Sequence, residues 1–274
     1  MDHEPRLPRE DVNTSRTSLG RETVLLVGGL IGAAGVFVIL IALVVDLIVP
    51  LIPISWEARV STGFSTLFAP EVTDENRERR ERLQKLVDRI ASHWSDNPYD
   101  VRADVMDEAQ DNAFAFPGGL VLVTSGMLDH VQSENELAFI VGHELGHFRN
   151  RDHLRHLGRG VALGFLVAVI RGTGGGESAT ALVVLAGSFT TRSFGRAQEE
   201  AADAFGLELV HEEYGTVAGA WDFFERLPLP ESSVGRHVAS YLSTHPLNND
   251  RIEAMDELAS ERGWPTTGEV QPLN

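Results

Sequence analysis

The feature that most restricts the fold of this chain is a long apolar stretch near its amino terminus. Residues 23–45 contain no charged side chain, and apolar residues continue to about residue 54. About 20 apolar residues in a helix span the hydrocarbon core of a bilayer, so the stretch is long enough to cross it once. We therefore predict a transmembrane anchor at 23–50, which Pro50 and Pro53 terminate because proline interrupts a helix.

A cleaved signal peptide is the alternative interpretation of the same stretch. Signal peptides have an apolar core of about 7–15 residues, followed by a cleavage site of the Ala-x-Ala type. Here the apolar core is longer and no such site follows it, which favours a retained anchor. The pair Gly28 and Gly32 has the spacing of a helix dimerisation motif, so a homo-oligomer remains open.

The arginines that flank the stretch predict its orientation. Four arginines lie before it, in a polar segment at 1–22 that we predict to be a disordered tail. Only Arg59 lies close behind it. Because positively charged flanks stay in the cytoplasm, the amino terminus is predicted to be cytoplasmic and the rest of the chain extracytoplasmic.

The remainder of the chain mixes helical and strand patterns. Apolar residues recur at helical spacing in 73–94, which predicts an amphipathic helix. Alternation at 101–105 predicts a half-buried strand, and two apolar runs within 114–123, separated by a Pro-Gly-Gly turn, predict a hairpin. We therefore expect a mainly helical α+β domain with a small antiparallel sheet at 70–262, followed by a carboxy-terminal tail at 263–274.

Two shorter apolar stretches, at 161–170 and 179–189, flank a glycine-rich segment. Each is shorter than the roughly 20 residues that a spanning helix needs. We therefore predict a buried or membrane-dipping hairpin at 161–189, with two further membrane crossings as the alternative.

Composition excludes several classes of function. The chain has no cysteine, which excludes disulfides, a thiol nucleophile and cysteine-ligated metal. Its formal net charge is −17, and such a surface repels polyphosphate. Nucleic acid is therefore not an expected partner.

The strongest chemical signal is the pentapeptide His143-Glu144-Leu145-Gly146-His147. Residues four apart in a helix share one face, so His143 and His147 can bind the same zinc ion. Glu144 would then accept a proton from zinc-bound water and deliver it to the leaving amine. The preceding residues are apolar, which predicts a core helix where unpaired histidines and glutamate would be costly. Ser133 and Glu136 form a capping box that predicts the start of this helix.

A zinc site of this type needs a third protein ligand, and an acidic helical segment later in the chain supplies candidates. Glu199 and Asp203 are four apart and share a helix face. Glu199 could ligate the metal while Asp203 accepts the remaining N–H of a ligating histidine. Glu200 is an alternative ligand, and a solvated acidic helix is the alternative to any metal role.

Three blocks of the sequence, in the same order, resemble the HtpX, CAAX prenyl protease and Oma-type zinc metalloproteases of metallopeptidase family forty-eight. They are an Asn-Ala-Phe-x-x-Pro-Gly-Gly block at 112–119, the zinc helix at 136–147 and an ExxAD block at 199–203. A weaker fourth match is Thr-His-Pro at 244–246, followed by Arg251. The resemblance covers roughly residues 71 to 258.

The resemblance implies roles for individual residues. Glu199, not Glu200, would be the third zinc ligand, and Asp203 would support a ligating histidine. His245 would lie near the zinc, where it stabilises the transition state or acts as a gating ligand. Arg251 would form a structural ion pair with an acid near the site.

The resemblance also implies how a substrate binds. The strand around Leu120 to Val123 would accept an extended peptide as an added strand. The residues expected to contact substrate are Asn112, Gly118, Gly119, Leu120 and Val121.

These observations predict a membrane-anchored, zincin-like endopeptidase with one zinc ion per chain. Multi-spanning relatives have several clear transmembrane helices, whereas only one is convincing here, which argues against membrane-embedded catalysis on prenylated substrates. We therefore expect a quality-control protease that acts on unfolded or membrane-associated proteins at the lipid bilayer. A non-catalytic scaffold or chaperone of the same fold is one alternative, and a metal hydrolase with a substrate other than a peptide is another.

Overall fold

The chain divides into two compact units, Met1–Val44 and Val45–Asn274. The predicted hairpin at 161–189 and most of the predicted tail at 1–22 lie outside the residues that the structure describes. This computed structural model describes residues 18–57, 74–160, 194–226, 241, 244–245 and 249–273.

The amino-terminal apolar stretch forms helix α1 (Leu19–Ile48), which continues into a short 3-10 turn at Val49–Leu51. None of the side chains of α1 is buried. In the described part of the chain it is the one helix long and apolar enough to cross a membrane. The helix begins before the predicted anchor because the Ser18 hydroxyl accepts the backbone N–H of Arg21 at 3.3 Å and caps the first turn.

The described residues of the second unit include a three-stranded sheet formed by β1 (Arg102–Met106), β2 (Ala113–Phe116) and β3 (Leu120–Thr124). The predicted hairpin is confirmed: β2 and β3 pair antiparallel across a turn at Gly118 and Gly119, which both have positive φ. However, β1 pairs with β3 in parallel, so the sheet is mixed and its order is β1-β3-β2. An alternating pattern predicts where a strand lies, but does not specify which neighbour it joins.

Two helices precede the centre of the domain in sequence. Helix α2 (Asp74–Ser92) confirms the predicted amphipathic helix, and its apolar side chains, from Leu83 to Ile90, are buried in the main core. The short α3 (Ser125–His130) follows the sheet directly, capped by Thr124, whose side chain accepts the N–H of Met127. The sheet and α2 thereby form a scaffold around the next helix.

Helix α4 (Glu134–Arg149) is the centre of the domain, and residues 135–148 are all buried. The predicted cap is present, because the Ser133 side chain accepts the N–H of Glu136 at 3.2 Å. In a full capping box Glu136 would accept the backbone N–H of Ser133. Here the Glu136 carboxylate instead accepts the N–H of Gln132 at 2.9 Å and also pairs with an arginine.

Helix α5 (Arg196–Tyr214) packs against α4 through a small-residue seam, which consists of Gly142 and Gly146 on α4 and Ala202 and Gly206 on α5. A methyl group added to Gly142 would lie 3.0 Å from the Gly206 Cα, and one added to Gly146 would lie 2.7 Å from the Ala202 Cα. Real Cβ atoms do not approach a backbone this closely, so the two helix backbones are in contact. Side chains of α5 can therefore reach those of α4.

Two further helices are α6 (Asp222–Glu225) and α7 (Asn249–Arg262), and residues 54–57 and 152–160 are also helical. After α7 the chain returns to the start of α4, where the Glu134 N–H donates to the Gln271 carbonyl at 3.0 Å. The Gln271 N–H in turn donates to the Asn135 side chain at 3.0 Å. The carboxy-terminal segment is therefore attached to the central helix over these residues.

Candidate metal centre

The two histidines of α4 face the same point in the protein interior. Their Nε2 atoms lie 3.1 Å apart, and the side chains of both His143 and His147 are fully buried. This arrangement follows from their spacing, because residues four apart in a helix project from one face.

Helix α5 and a residue near α7 complete the cluster. The carboxylate oxygens of Glu199 lie 3.6 Å from Nε2 of His143 and 3.7 Å from Nε2 of His147. Nδ1 of His245 lies 3.1 Å from Nε2 of His143 and 3.2 Å from the nearer oxygen of Glu199. These four residues each present one ligand atom, and all four atoms lie within 4.8 Å of one another.

The distances fit a tetrahedral metal ion. When ligand atoms lie about 2.0–2.1 Å from zinc, the tetrahedron places neighbouring ligand atoms about 3.3 Å apart. The two Nε2 atoms lie 3.1 Å apart, and each lies 3.6 or 3.7 Å from a different oxygen of Glu199, which is close to this value. The cluster therefore has the dimensions as well as the ligand types of a metal site.

The outer nitrogen of each α4 histidine is bonded to a carboxylate. Nδ1 of His143 lies 2.8 Å from Asp203, and Nδ1 of His147 lies 3.1 Å from Asp152. In a neutral imidazole whose Nδ1–H donates to a carboxylate, Nε2 carries a lone pair. Two such lone pairs at 3.1 Å can share one cation, either a metal ion or a proton, so the hydrogen bonding suits a bound metal.

Arg251 joins the acidic residues behind the cluster and is itself buried. Its guanidinium lies 2.6 Å from Glu199 and donates to Asp203 at 2.7 and 2.8 Å. This confirms the expected ion pair. Burial alone would raise the pKa of Asp203, but the hydrogen bonds and charges of His143 and Arg251 lower it to about 2. Asp203 is therefore ionised and available to accept the histidine N–H.

Glu144 lies beside the cluster with its side chain fully buried. Neither of its carboxylate oxygens has a partner within normal hydrogen-bond geometry among the described residues, and Oε1 lies 3.5 Å from Nε2 of His245. Burial, with the nearby negative charge of Glu199, raises the pKa of Glu144 to about 7, against the opposing effects of His143 and the backbone N–H of Ala115. A carboxylate with this pKa can accept and release a proton near neutral pH.

Aromatic rings cover the cluster on the side of His147 and His245. The ring of Phe194 stacks on His147 with centroids 3.9 Å apart, and Tyr241 stacks on His245 at 4.7 Å.

Burial, with the positive charges of His143 and Arg251, lowers the pKa of His245 well below its ordinary value. His245 is therefore neutral and has a ring lone pair available for a metal.

Sequence reasoning missed some of these residues. Asp152, which supports His147, follows the end of α4 directly, and an acid at that place was the available signal. The small-residue seam was also visible as two pairs spaced four apart, Gly142 with Gly146 and Ala202 with Gly206. No pattern in the sequence indicated Phe194 or Tyr241, which contact the site only through tertiary packing.

The predicted substrate strand needs a correction. Leu120 and Val121 lie in β3, whose backbone is paired with β1 on one side and β2 on the other. A central strand cannot accept another strand, so added-strand binding at β3 is excluded. Gly118 and Gly119 form the hairpin turn, and Asn112 is buried within 3.3 Å of the Thr244 hydroxyl, next to His245 in sequence. Within the described sheet the strand beside the cluster with a free edge is β2.

Comparison with known proteins was consistent with this geometry. The model of peptidase family M48 matches residues 74–259. A putative beta-barrel assembly-enhancing protease of Vibrio cholerae is 32% identical over 194 residues, which cover 65% of this chain and 40% of the relative. The mitochondrial metalloendopeptidase OMA1 of Bos taurus is 29% identical over 169 residues, 56% of this chain and 31% of the relative. A protease HtpX homolog of Salinibacter ruber is 29% identical over 208 residues, 65% of this chain and 74% of the relative. The chain thus spans less than half the length of the first two relatives.

Proposed function

Because the chain belongs to peptidase family M48, we propose that it is a membrane-anchored, zinc-dependent endopeptidase. The observation that carries the proposal is the convergence of His143, His147 and Glu199 beside the buried carboxylate of Glu144. A scaffold would need neither the metal ligands nor a carboxylate whose pKa is raised to about 7. The three relatives compared above are described as metalloendopeptidases or proteases.

In this proposal His143, His147 and Glu199 hold one zinc ion per chain. Two imidazoles and a carboxylate are a common ligand set of catalytic zinc, which leaves a fourth position open. The bound zinc supplies Lewis acidity towards water and the scissile carbonyl. Asp203 and Asp152 orient the two imidazoles by accepting their Nδ1–H groups.

Glu144 acts as the general base. It accepts a proton from the attacking water and delivers it to the amine that leaves when the peptide bond breaks. Its burial keeps bulk water away from the carboxylate, and β2 packs against α4, the helix that carries Glu144. The edge of β2 therefore supports binding of an extended peptide as an added strand, with the scissile bond close to Glu144.

The proposed substrates are unfolded or membrane-associated proteins, and the proposed role is protein quality control. The exposed apolar surface of α1 supports a location in the lipid bilayer. The arginine distribution supports a cytoplasmic amino terminus and an extracytoplasmic protease domain at 70–262, with 263–274 as its tail.

Removal of metal tests the function directly. We expect the detergent-solubilised full chain to retain one zinc per chain and to hydrolyse casein. Treatment with a chelator should abolish hydrolysis, and stoichiometric zinc should restore it. A His130→Ala variant serves as a control for histidine loss, because His130 pairs with Asp111 and is not a member of the metal group. Casein hydrolysis that persists after metal removal would contradict the proposal, as would a chain that retains no metal.

His245 has two proposed roles, which one variant separates. Its Nδ1 lies among the ligand atoms, which supports a gating ligand that occupies the open position. Its Nε2 lies 3.5 Å from Glu144, which supports a role in the transition state. If His245 is a gating ligand, His245→Ala should raise casein hydrolysis several-fold at equal zinc content. A fall in kcat of about 10²-fold or more, as for a lost catalytic group, would assign it to the transition state.

A further inference from the structure

Three consecutive residues after α4 join the metal centre to the segment that follows the apolar helix. The middle one, Asp152, accepts Nδ1–H of His147. On one side of it, Arg151 pairs with Glu57 and donates to the Ile52 carbonyl at 2.7 Å. On the other side, Nε2 of His153 lies 3.0 Å from the second oxygen of Glu57. One carboxylate therefore binds both neighbours of the residue that supports a metal ligand.

The backbone at Arg151 shows that this connection constrains the chain. Arg151 has φ of 56°, the only described non-glycine residue with positive φ. A bulky side chain adopts the left-handed region only where its surroundings hold it there. This conformation ends α4 and turns the chain so that Asp152 folds back towards His147. The side-chain contacts of Arg151 with Glu57 and Ile52 add to the hydrogen bond from its backbone N–H to the Phe148 carbonyl at 2.9 Å.

The connection is largely buried, and both oxygens of Glu57 are paired. Glu57, Asp152 and His153 are each 1% exposed. Burial raises the pKa of Glu57, but the hydrogen bonds and charges of His153 and Arg151 outweigh it, and the pKa lies below its ordinary value. The ring of Tyr99 packs against His153 and closes this side of the cluster. A buried ionised carboxylate with two fixed partners is a rigid attachment point.

Asp152 also has contacts from α5. Its second oxygen accepts the side-chain N–H of Gln198 at 2.5 Å and lies 3.3 Å from Arg155. These contacts orient the carboxylate but do not hold the backbone of 151–153. For the other ligand, Arg251 holds Asp203 against His143. Glu57 has a similar relation to His147, but it contacts the two neighbours of Asp152 and not Asp152 itself.

We propose that Glu57 is a positioning residue for the metal centre: it binds Arg151 and His153 and thereby holds Asp152 against Nδ1 of His147. The inference rests on the proposed function, since it assigns a support to the proposed ligand. It makes the segment 52–57, which directly follows the apolar helix, part of the metal site. Metal affinity therefore depends on a residue outside the matched family region at 74–259.

The test is the zinc affinity of the full-length Glu57→Gln variant, measured by competition with a chromophoric chelator. Loss of an outer partner of a ligand typically weakens metal binding about 10–100-fold. We expect Asp152→Asn to fall in that range and Glu57→Gln to weaken binding about tenfold. The visible absorption bands of the cobalt-substituted protein should change in both variants, because the ring of His147 is less well oriented. In the double variant the effect should not exceed that of Asp152→Asn, since both act through one residue.

A matched control separates positioning from general stability. Glu136 is also buried and lies on α4, and it pairs with Arg226 at 2.7 Å at the opposite end of the helix from His147. Glu136→Gln should lower the Tm of the metal-free protein without changing zinc affinity or the cobalt spectrum. If Glu57→Gln behaves like this control, Glu57 is only structural and the inference is wrong.

Arg151→Gly provides a second variant that preserves folding. Glycine adopts positive φ without strain, so the turn should form while the link to Glu57 is lost. We expect weaker zinc binding and a lower Tm, because the buried Glu57 keeps His153 as its partner but loses Arg151. Unchanged zinc affinity in this variant would contradict the role of Glu57 but not the proposed function. A wild-type chain that binds no metal would contradict both.

Discussion

Replacing Glu144 with glutamine is expected to reduce casein hydrolysis about 10²–10⁴-fold, the usual contribution of a general acid–base group. Glutamine has nearly the same shape as glutamate but cannot accept the proton of the attacking water. Bound zinc should be unchanged, because Glu144 is not one of the four residues whose ligand atoms converge. The measurement is kcat for casein beside the zinc content of the same samples.

The same substitution should not destabilise the fold. Both oxygens of Glu144 are buried without partners in normal hydrogen-bond geometry among the described residues, so a neutral amide removes a charge that nothing there compensates well. Glu200→Gln is the matched control, since Glu200 is the exposed neighbour of Glu199 and pairs with Arg196 at 3.1 Å. Full activity in Glu144→Gln would exclude Glu144 as the base and favour the scaffold alternative.

Replacing Gly146 with leucine is expected to abolish zinc binding. It should also lower the free energy of unfolding by about 3 kcal/mol or more, at the upper end of what overpacked cores lose. The first carbon of any side chain at 146 would meet the Ala202 Cα at 2.7 Å and its carbonyl oxygen at 3.0 Å. These are backbone atoms of α5 and cannot rotate away. The two helices must therefore separate, and Glu199 moves away from His143 and His147.

Even Gly146→Ala should lose stability, although alanine is the better helix former. Helix propensity favours alanine by about 1 kcal/mol, but the backbone fixes the added Cβ 2.7 Å from the Ala202 Cα, and this clash opposes the gain. Gly35→Ala in α1 is the matched control, because in the described part of the chain no atom beyond its neighbours and its own helix backbone lies within 4 Å of the added methyl group. Thermal unfolding and zinc content of the two variants check the prediction, and a Gly146→Ala protein with wild-type Tm and zinc would contradict it.

Much of the local structure was predictable because it depends on residues close in sequence. The cap at Ser133, the buried face of α2 and the β2–β3 hairpin follow from side-chain chemistry and periodicity over a few residues. The convergence of His143 with His147 follows in the same way from helix geometry. The choice of Glu199 as the third ligand rested on resemblance to a family, because helical spacing alone did not distinguish Glu199 from Glu200.

Errors and omissions arose where distant segments meet. The parallel pairing of β1 with β3 depends on the path of the chain between β1 and β2, so the sheet was expected to be antiparallel. The added-strand prediction at β3 failed for the same reason, because an edge exists only once the strand order is known.

The sequence by itself determined the apolar membrane helix, the secondary elements and the side chains suited to zinc, because composition and periodicity are local properties. Only the tertiary structure decided which groups support those side chains. Glu57, Arg151 and Asp152 reach the metal centre through contacts between residues that are 94 and 96 positions apart, or around a strained turn. Such contacts depend on how whole helices and strands pack against one another. Close packing requires complementary shape and charge in three dimensions, and a short sequence pattern does not contain that information.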